Sequence, residues 1–127
     1  MKARVTSKSD VPFVEALGAS TVAQPVSVIN QNLRNGVIDA IMIDPSAIGS
    51  FKLQEPANYV TTWSPGSGSA FALLMNKGVY VGLSDEGRAA IDAVSGADLS
   101  LGAAAVYDAV AAKGLQIAAD PGVEMLD

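Results

Sequence analysis

The stretch LRNGVIDAIMI, residues 33–43, decides the fold. Its second part, Val37 to Ile43, is nearly continuous in apolar residues, the pattern of a strand buried on both faces of a parallel sheet. Upstream, Val26, Ile29 and Leu33 recur at i, i+3 and i+7, which predicts a helix with Ser27 at its cap and Asn35–Gly36 at its close. Working back, TVAQP (Thr21 to Pro25) reads as a short strand ended by proline. Before it, Asp10 is expected to cap a helix with Pro12 in its first turn, where a missing N–H costs nothing. Phe13, Val14, Ala16 and Leu17 supply the buried side of that helix and Gly18 stops it. ARVTS (Ala3 to Ser7), short and β-branched, is a first strand. Three strands alternating with two helices make a βαβαβ pattern, and with it an α/β architecture around a parallel sheet.

Further along, DPSAIGSFKLQEP predicts a turn and a short helix, and YVTTW (Tyr59 to Trp63) another strand. SPGSGS (Ser64 to Ser69) is Gly/Ser-rich and reads as a hinge or linker. AFALLMN (Ala70 to Asn76), apolar on both sides, is expected to be a buried strand. Ser84 with Asp85 and Glu86 places a cap and two acids at a helix start, where they complement the macrodipole. Ile91, Val94, Leu101, Ala105 and Val110 then lie along one long expected helix reaching Lys113 and Gly114, weakened at Gly96 and Gly102. LQIAAD (Leu115 to Asp120) is the expected terminal strand.

Composition excludes several function classes. The 127 residues are 50% hydrophobic, enough for a sizeable core, and no run approaches the roughly 20 apolar residues of a bilayer crossing. A net charge of −5 makes a non-specific grip on nucleic acid unfavourable. Residues 1–84 carry six Lys or Arg against five Asp or Glu, and residues 85–127 carry two against eight, so cations able to meet an anion lie early. There is no cysteine and no histidine. A thiolate nucleophile, a zinc site of soft ligands and a Ser-His-Asp triad are therefore excluded.

Among the remaining candidates, Arg4 sits between apolar neighbours on a half-buried strand. An arginine there is costly unless its planar fork meets a carboxylate or phosphate, or an internal acid, or reaches solvent by its own length. Asp39 reads as a buried partner of a turn amide. Asp44, before Pro45, stands at the strand end where ligands collect in open α/β sheets, or is a plain turn former. GSGS lacks the lysine and the strand-to-helix context of a phosphate loop. Trp63 and Phe71 read as core or cleft lining, and the acidic helix from Ser84 as a solvated face.

The order of motifs KARV, EALGAS, PVSVINQNLRNGVIDAIMI, FKLQEPANYVTT and FALLMNKGVYVGLSDEGRAAIDAVSG resembles the C-terminal half of the extracytoplasmic solute-binding subunits of TRAP transporters, which capture small organic acids for sodium-driven uptake. The resemblance runs across nearly the whole chain. It implies a periplasmic binding protein-like lobe with a βαβαβ core and a long C-terminal helix, and a periplasmic binding module without catalysis or cofactor. It implies that Arg4 salt-bridges the carboxylate of the bound acid and that Ser7 makes a polar contact to it. Asp44 and Ser69 complete the candidate ligand-binding set. The chain departs from the family pattern PVSEVY at Val28, Ile29 and Asn30, and by IMIDPS after VIDA.

By the same resemblance residues 1–69 form the ligand-lobe core, residues 70–113 a crossing strand and long helix that pack on a first lobe preceding Met1, and residues 114–127 a return to the first segment's lobe. Expected partners are an organic acid and the transporter's membrane subunits. An exposed strand left without its sheet predicts a homodimer, through that edge or by exchange of the segment after the hinge. The rival from another class is a small carboxylate- or phosphate-binding α/β enzyme domain using Asp39 or Asp44 with the GSGS loop and a hard metal ion. A third is an interaction domain docking through its acidic helix.

Overall fold

In a computed structural model, described for residues 1–63, 70–119 and 122–127, the chain divides into two units, Met1–Ser67 with Asp108–Asp127, and Gly68–Tyr107. The SPGSGS hinge and Ser69 lie outside the described residues.

The first unit is built on strands β1 (Lys2–Val5), β2 (Ser20–Ala23) and β3 (Ala40–Ile41), parallel and ordered β2-β1-β3. Arg4 is in register with Val22 on one side and Ile41 on the other. Helix α1 (Val11–Ala16) connects β1 to β2, and α2 (Ile29–Arg34) connects β2 to β3. Gly18 and Gly36 follow these helices with φ of 81° and 67°, the left-handed turn that ends a helix at little cost only for glycine. The apolar run after Gly36 packs on both faces, with Ile38 buried and Ala40 to Ile43 partly buried. Ala40 and Met42 pack with Ala3, Val5, Val14 and Ala19, while Ile41 and Ile43 pack with Ile29, Ile38 and Leu53. Alternate residues of one strand thus feed two clusters. Only Ala40 and Ile41 of the Val37–Ile43 run form a ladder.

Two helix caps differ from expectation. Ser7 caps a 3₁₀ turn, Lys8–Asp10, and Asp10 closes the capping box with Ser7 instead of capping α1. Ser27 lies inside a second 3₁₀ turn, Val26–Val28, with no cap bond, and α2 begins only at Ile29. In both places a tight turn precedes the α-helix, so the cap moves upstream or disappears.

Helix α3 (Ala47–Ser50) and strand β4 (Tyr59–Thr61) follow. Helix α4 (Lys77–Val81) and helix α5 (Asp85–Ala93) belong to the second unit, and α6 (Ala97–Ala119) runs on from it into the first. The terminal strand expected at Leu115–Asp120 is helical as far as Ala119. Gly114 and Ala118, one turn apart on α6, are buried. Gly114 abuts the Pro45 carbonyl group and the Ile48 side chain, and Gly49 of α3 faces Ile117. This tertiary contact overrides the strand-like composition of LQIAA. The final strand is β5 (Glu124–Leu126), parallel to β4 with Tyr59 opposite Glu124.

In the second unit, the single helix expected from Ser84 to Lys113 is broken between Ala93 and Ala97, where Gly96 takes φ of 81°. Ser84 caps α5 by accepting from the Gly87 amide, with Asp85 and Glu86 in the first turn. Asn76 caps α4, a helix the sequence pattern did not predict. Ala70–Asn76 forms no strand, because no neighbour among the described residues offers it a ladder. Phe71 stacks on Tyr107 with ring centroids 5.0 Å apart, yet none of the unit's described residues is buried. Leu73 and Leu74 are each 86% exposed. Among the described residues no single helix is long and apolar enough to cross a membrane.

Candidate functional site

The C-terminal ends of the three parallel strands converge on Arg4. Ala3, Arg4 and Val5 are all buried, Arg4 with 6% exposure, because β1 is the central strand and has a neighbour on each side. A guanidinium cannot be left dry without acceptors. Nε and Nη2 both donate to the Gln24 carbonyl, just beyond β2, each at 3.2 Å. Nη1 donates to Thr6 Oγ1 at 3.0 Å, and the Thr6 hydroxyl donates in turn to the Met42 carbonyl beyond β3 at 3.0 Å. The Gln24 side chain is held as well, its Oε1 accepting from Asn32 Nδ2 of α2 at 2.9 Å.

Every one of these partners is neutral. Among the described residues no carboxylate lies within salt-bridge distance of Arg4, the two ion pairs being Arg34–Glu55 and Arg88–Asp85. Burial lowers the Arg4 pKa from its ordinary value, and the charge of Asp10 acts in the opposite direction. Arginine stays protonated through such a shift. The strand end therefore presents a buried positive charge whose hydrogen bonds are partly met by neutral acceptors, with the Asp10 charge acting on it from beyond salt-bridge distance.

The other candidates are placed differently. Ser7 is exposed and engaged locally, its Oγ accepting from the Ser9 amide at 3.2 Å and lying 2.7 Å from Ser9 Oγ. Asp44 is exposed, and its Oδ1 accepts from the Ser46 amide at 2.8 Å in the turn before α3, the geometry of a turn former. Asp39 is exposed, not buried; it sits at the start of β3 and accepts from the Lys2 amide at 2.6 Å. Asp39 and Asp44 therefore lie at opposite ends of β3. No group of three or more acidic residues that could hold a metal ion occurs among the described residues. Trp63 and Phe71 are exposed rather than core.

Sequence reasoning missed Thr6 and Gln24. Thr6, two residues past Arg4, shares its strand face. Gln24 acts through its backbone, for which no residue type is a signal.

A hollow of about 740 Å³ lies elsewhere in the first unit, lined by Gln54, Glu55, Asn58, Tyr59, Ile117 and Glu124 among others. Gln54 Oε1 is buried with no hydrogen-bond partner among the described residues. It contains none of the residues singled out above.

The fold has close counterparts among solved structures. A marine metagenome TRAP solute-binding protein specific for aromatic acid ligands, solved with metahydroxyphenylacetate, superposes with a TM-score of 0.86 at 33% identity, covering 100% of this chain and 42% of its own. A TRAP solute-binding protein from Rhodoferax ferrireducens, with copurified benzoate, gives 0.86 at 27% identity over 99% of this chain and 40% of its own. A periplasmic relative from Bordetella bronchiseptica with bound mandelate shares the fold at 23% identity and a TM-score of 0.82, covering 99% of this chain and 40% of its own. This chain thus spans about two fifths of the length of its structural neighbours. No curated protein matches it. Residues 1–117 match the bacterial extracellular solute-binding proteins of family 7, the DctP type, and with that match the chain belongs to the solute-binding proteins of TRAP transporters.

Proposed function

We propose that this chain supplies the carboxylate-binding part of a TRAP solute-binding protein, and that Arg4 holds the carboxylate. The observation that carries this reading is the buried Arg4 guanidinium with only neutral partners. Burying a charge without an opposite charge is costly, and an arriving carboxylate offsets that cost. Charge-assisted hydrogen bonds of this kind contribute about 1.5–3 kcal/mol each.

Proteins of this family are non-enzymatic transport components that bind organic acids outside the cytoplasm. For this chain the ligand class is an aromatic monocarboxylate, supported by the neighbours that carry metahydroxyphenylacetate and benzoate. Delivery to the transporter's membrane subunits and a periplasmic location follow from the family. Ser7, exposed beside the strand end, is a second polar contact, and Asp44 is a further one; the expectation for Ser69 falls outside the described residues.

Residues 70–113 pack on the other lobe of a two-lobed protein, and residues 114–127 return to the lobe of residues 1–69. Support comes from the exposed Phe71, Leu73, Leu74 and Leu101, an apolar surface that water does not favour, and from the length of the neighbours. Alone, the same surface drives the chain to dimerise. Light scattering should return twice 12.9 kDa; a monomer at high concentration would remove that part of the proposal.

The carboxylate reading is tested by titrating the isotope-labelled chain with benzoate and following side-chain signals by NMR, which registers weak binding. Arg4 signals should move, and Arg4→Gln should weaken binding by at least roughly a hundredfold, the loss of two charge-assisted bonds. An Arg4→Gln variant that titrates like the parent ends the reading.

A further inference from the structure

The partners of Arg4 determine which edge of its guanidinium is open. The group has five N–H bonds in one plane. One edge, the side, consists of Nε–H and one N–H of Nη2; the other, the end, consists of the remaining N–H of Nη2 and one N–H of Nη1. The Gln24 carbonyl accepts from both Nε and Nη2, so it fills the side edge. Thr6 takes one N–H of Nη1. One N–H on each terminal nitrogen is left over, and that of Nη2 lies on the end edge.

Thr6 is held in a single polarity. A hydroxyl has one hydrogen, and that of Thr6 is directed to the Met42 carbonyl, so toward Arg4 it only accepts. It ties the guanidinium on β1 to the end of β3, as Gln24 ties it to the end of β2. Asn32 of α2 steadies Gln24 from behind.

We propose that Thr6 is a positioning residue: it locks the Arg4 guanidinium with its side edge on the Gln24 carbonyl and its end edge toward the incoming carboxylate. The inference rests on the reading of Arg4 as the carboxylate contact and specifies how that contact is made. An anion meets the free N–H of Nη2 on the end edge, and Nε keeps its bond to Gln24 throughout.

The test uses the isotope-labelled 127-residue chain and two variants, Thr6→Val, which keeps the shape and strand preference but removes both hydrogen bonds, and Thr6→Ser, which keeps the hydroxyl. Without ligand, the Arg4 Nε–H should exchange with water at least roughly tenfold more slowly than an unbonded arginine N–H, in line with a hydrogen bond to a charged donor. Thr6→Val should speed that exchange and weaken benzoate binding roughly tenfold, and Thr6→Ser should restore both. On benzoate addition the Nη signals should move more than the Nε signal. Unchanged exchange and affinity in a folded Thr6→Val variant would overturn the positioning role alone. A benzoate response larger at Nε than at Nη would overturn the edge assignment and leave Arg4 as the contact. No benzoate response at Arg4, with Nε–H protected, would overturn the carboxylate reading and the role of Thr6 together.

Discussion

Gly114→Ala should destabilise the protein, against the usual sign of such a change inside a helix. At an exposed helix interior alanine is favoured over glycine by about 0.8–1.0 kcal/mol. Gly114 is buried on α6, and a Cβ built there runs into the Pro45 carbonyl oxygen, lies 3.0 Å from the Pro45 carbonyl carbon and 3.7 Å from Ile48 Cβ. Optimal carbon contacts lie at about 3.5–4.0 Å. The obstacle is backbone and cannot rotate aside, so α6 must lift off the turn before α3 by the better part of an ångström. Overpacking of this kind costs about 1–3 kcal/mol, and lifting the helix also loosens Ile48 and Ala118. Net of the helix-propensity gain, a loss of up to about 2 kcal/mol is expected. That corresponds to a fall of up to roughly 16 °C in Tm at about 4–8 °C per kcal/mol for a small domain. Thermal unfolding followed by far-UV circular dichroism measures it. A variant melting at or above the parent would show that α6 does not press on the Pro45 carbonyl and that the close approach is wrong.

Gly102→Ala, farther up the same helix, is the opposite case. No atom of the described residues lies within 4 Å of a Cβ at this position, so the propensity gain of about 0.5–1 kcal/mol should appear undiminished as greater helicity or a higher Tm. Ser84→Ala removes the oxygen that accepts from the Gly87 amide at 3.1 Å and should cost α5 about 1 kcal/mol, seen as faster hydrogen exchange at Gly87. The Tyr80 hydroxyl donates to Asp92 at 2.8 Å, and that hydrogen bond, followed by burial and the Asp92 charge, raises the phenol pKa above its ordinary value against the pull of Arg88. The folded state therefore favours the protonated phenol. Its contribution is present below the ordinary tyrosine pKa of about 10 and is lost as pH rises through the raised value. In Asp92→Ala the Tyr80 ionisation, followed by NMR, should fall back toward that ordinary value; an unchanged midpoint would remove Asp92 as the cause.

The sheet was legible in the sequence because its signals are local. Continuous apolar character in Val37–Ile43 announces burial on both faces, and glycines that must take positive φ mark the helix ends at Gly18 and Gly36. What was not legible depends on partners. LQIAA looks like a strand by composition, but Gly114, one turn before the buried Ala118, makes room for the Pro45 backbone, a fit visible only once the two segments meet. AFALLMN has the pattern of a buried strand and no ladder among the described residues, since a strand exists only through its neighbour. The family resemblance drawn from ARV, LRNGVIDA and the MNK to AAID run agrees with the match over residues 1–117.

The site divides along the same line. Arg4 stood out because an arginine among apolar strand neighbours needs an explanation, and the sequence left three open: a bound anion, an internal acid, or escape to water. At 6% exposure the side chain does not escape to water, and among the described residues no carboxylate is within salt-bridge range of it, which supports the proposed bound anion. What remains is a cation whose hydrogen-bonding capacity is only partly used by two neutral oxygens, those of Thr6 and Gln24. Neutral oxygens hold a guanidinium in place without cancelling its charge, whereas an internal carboxylate would do both and leave nothing for a ligand. In the role proposed for Arg4, a site that must attract a carboxylate and release it again needs a fork that is rigid beforehand, and neutral clamps at the ends of β2 and β3 supply that rigidity.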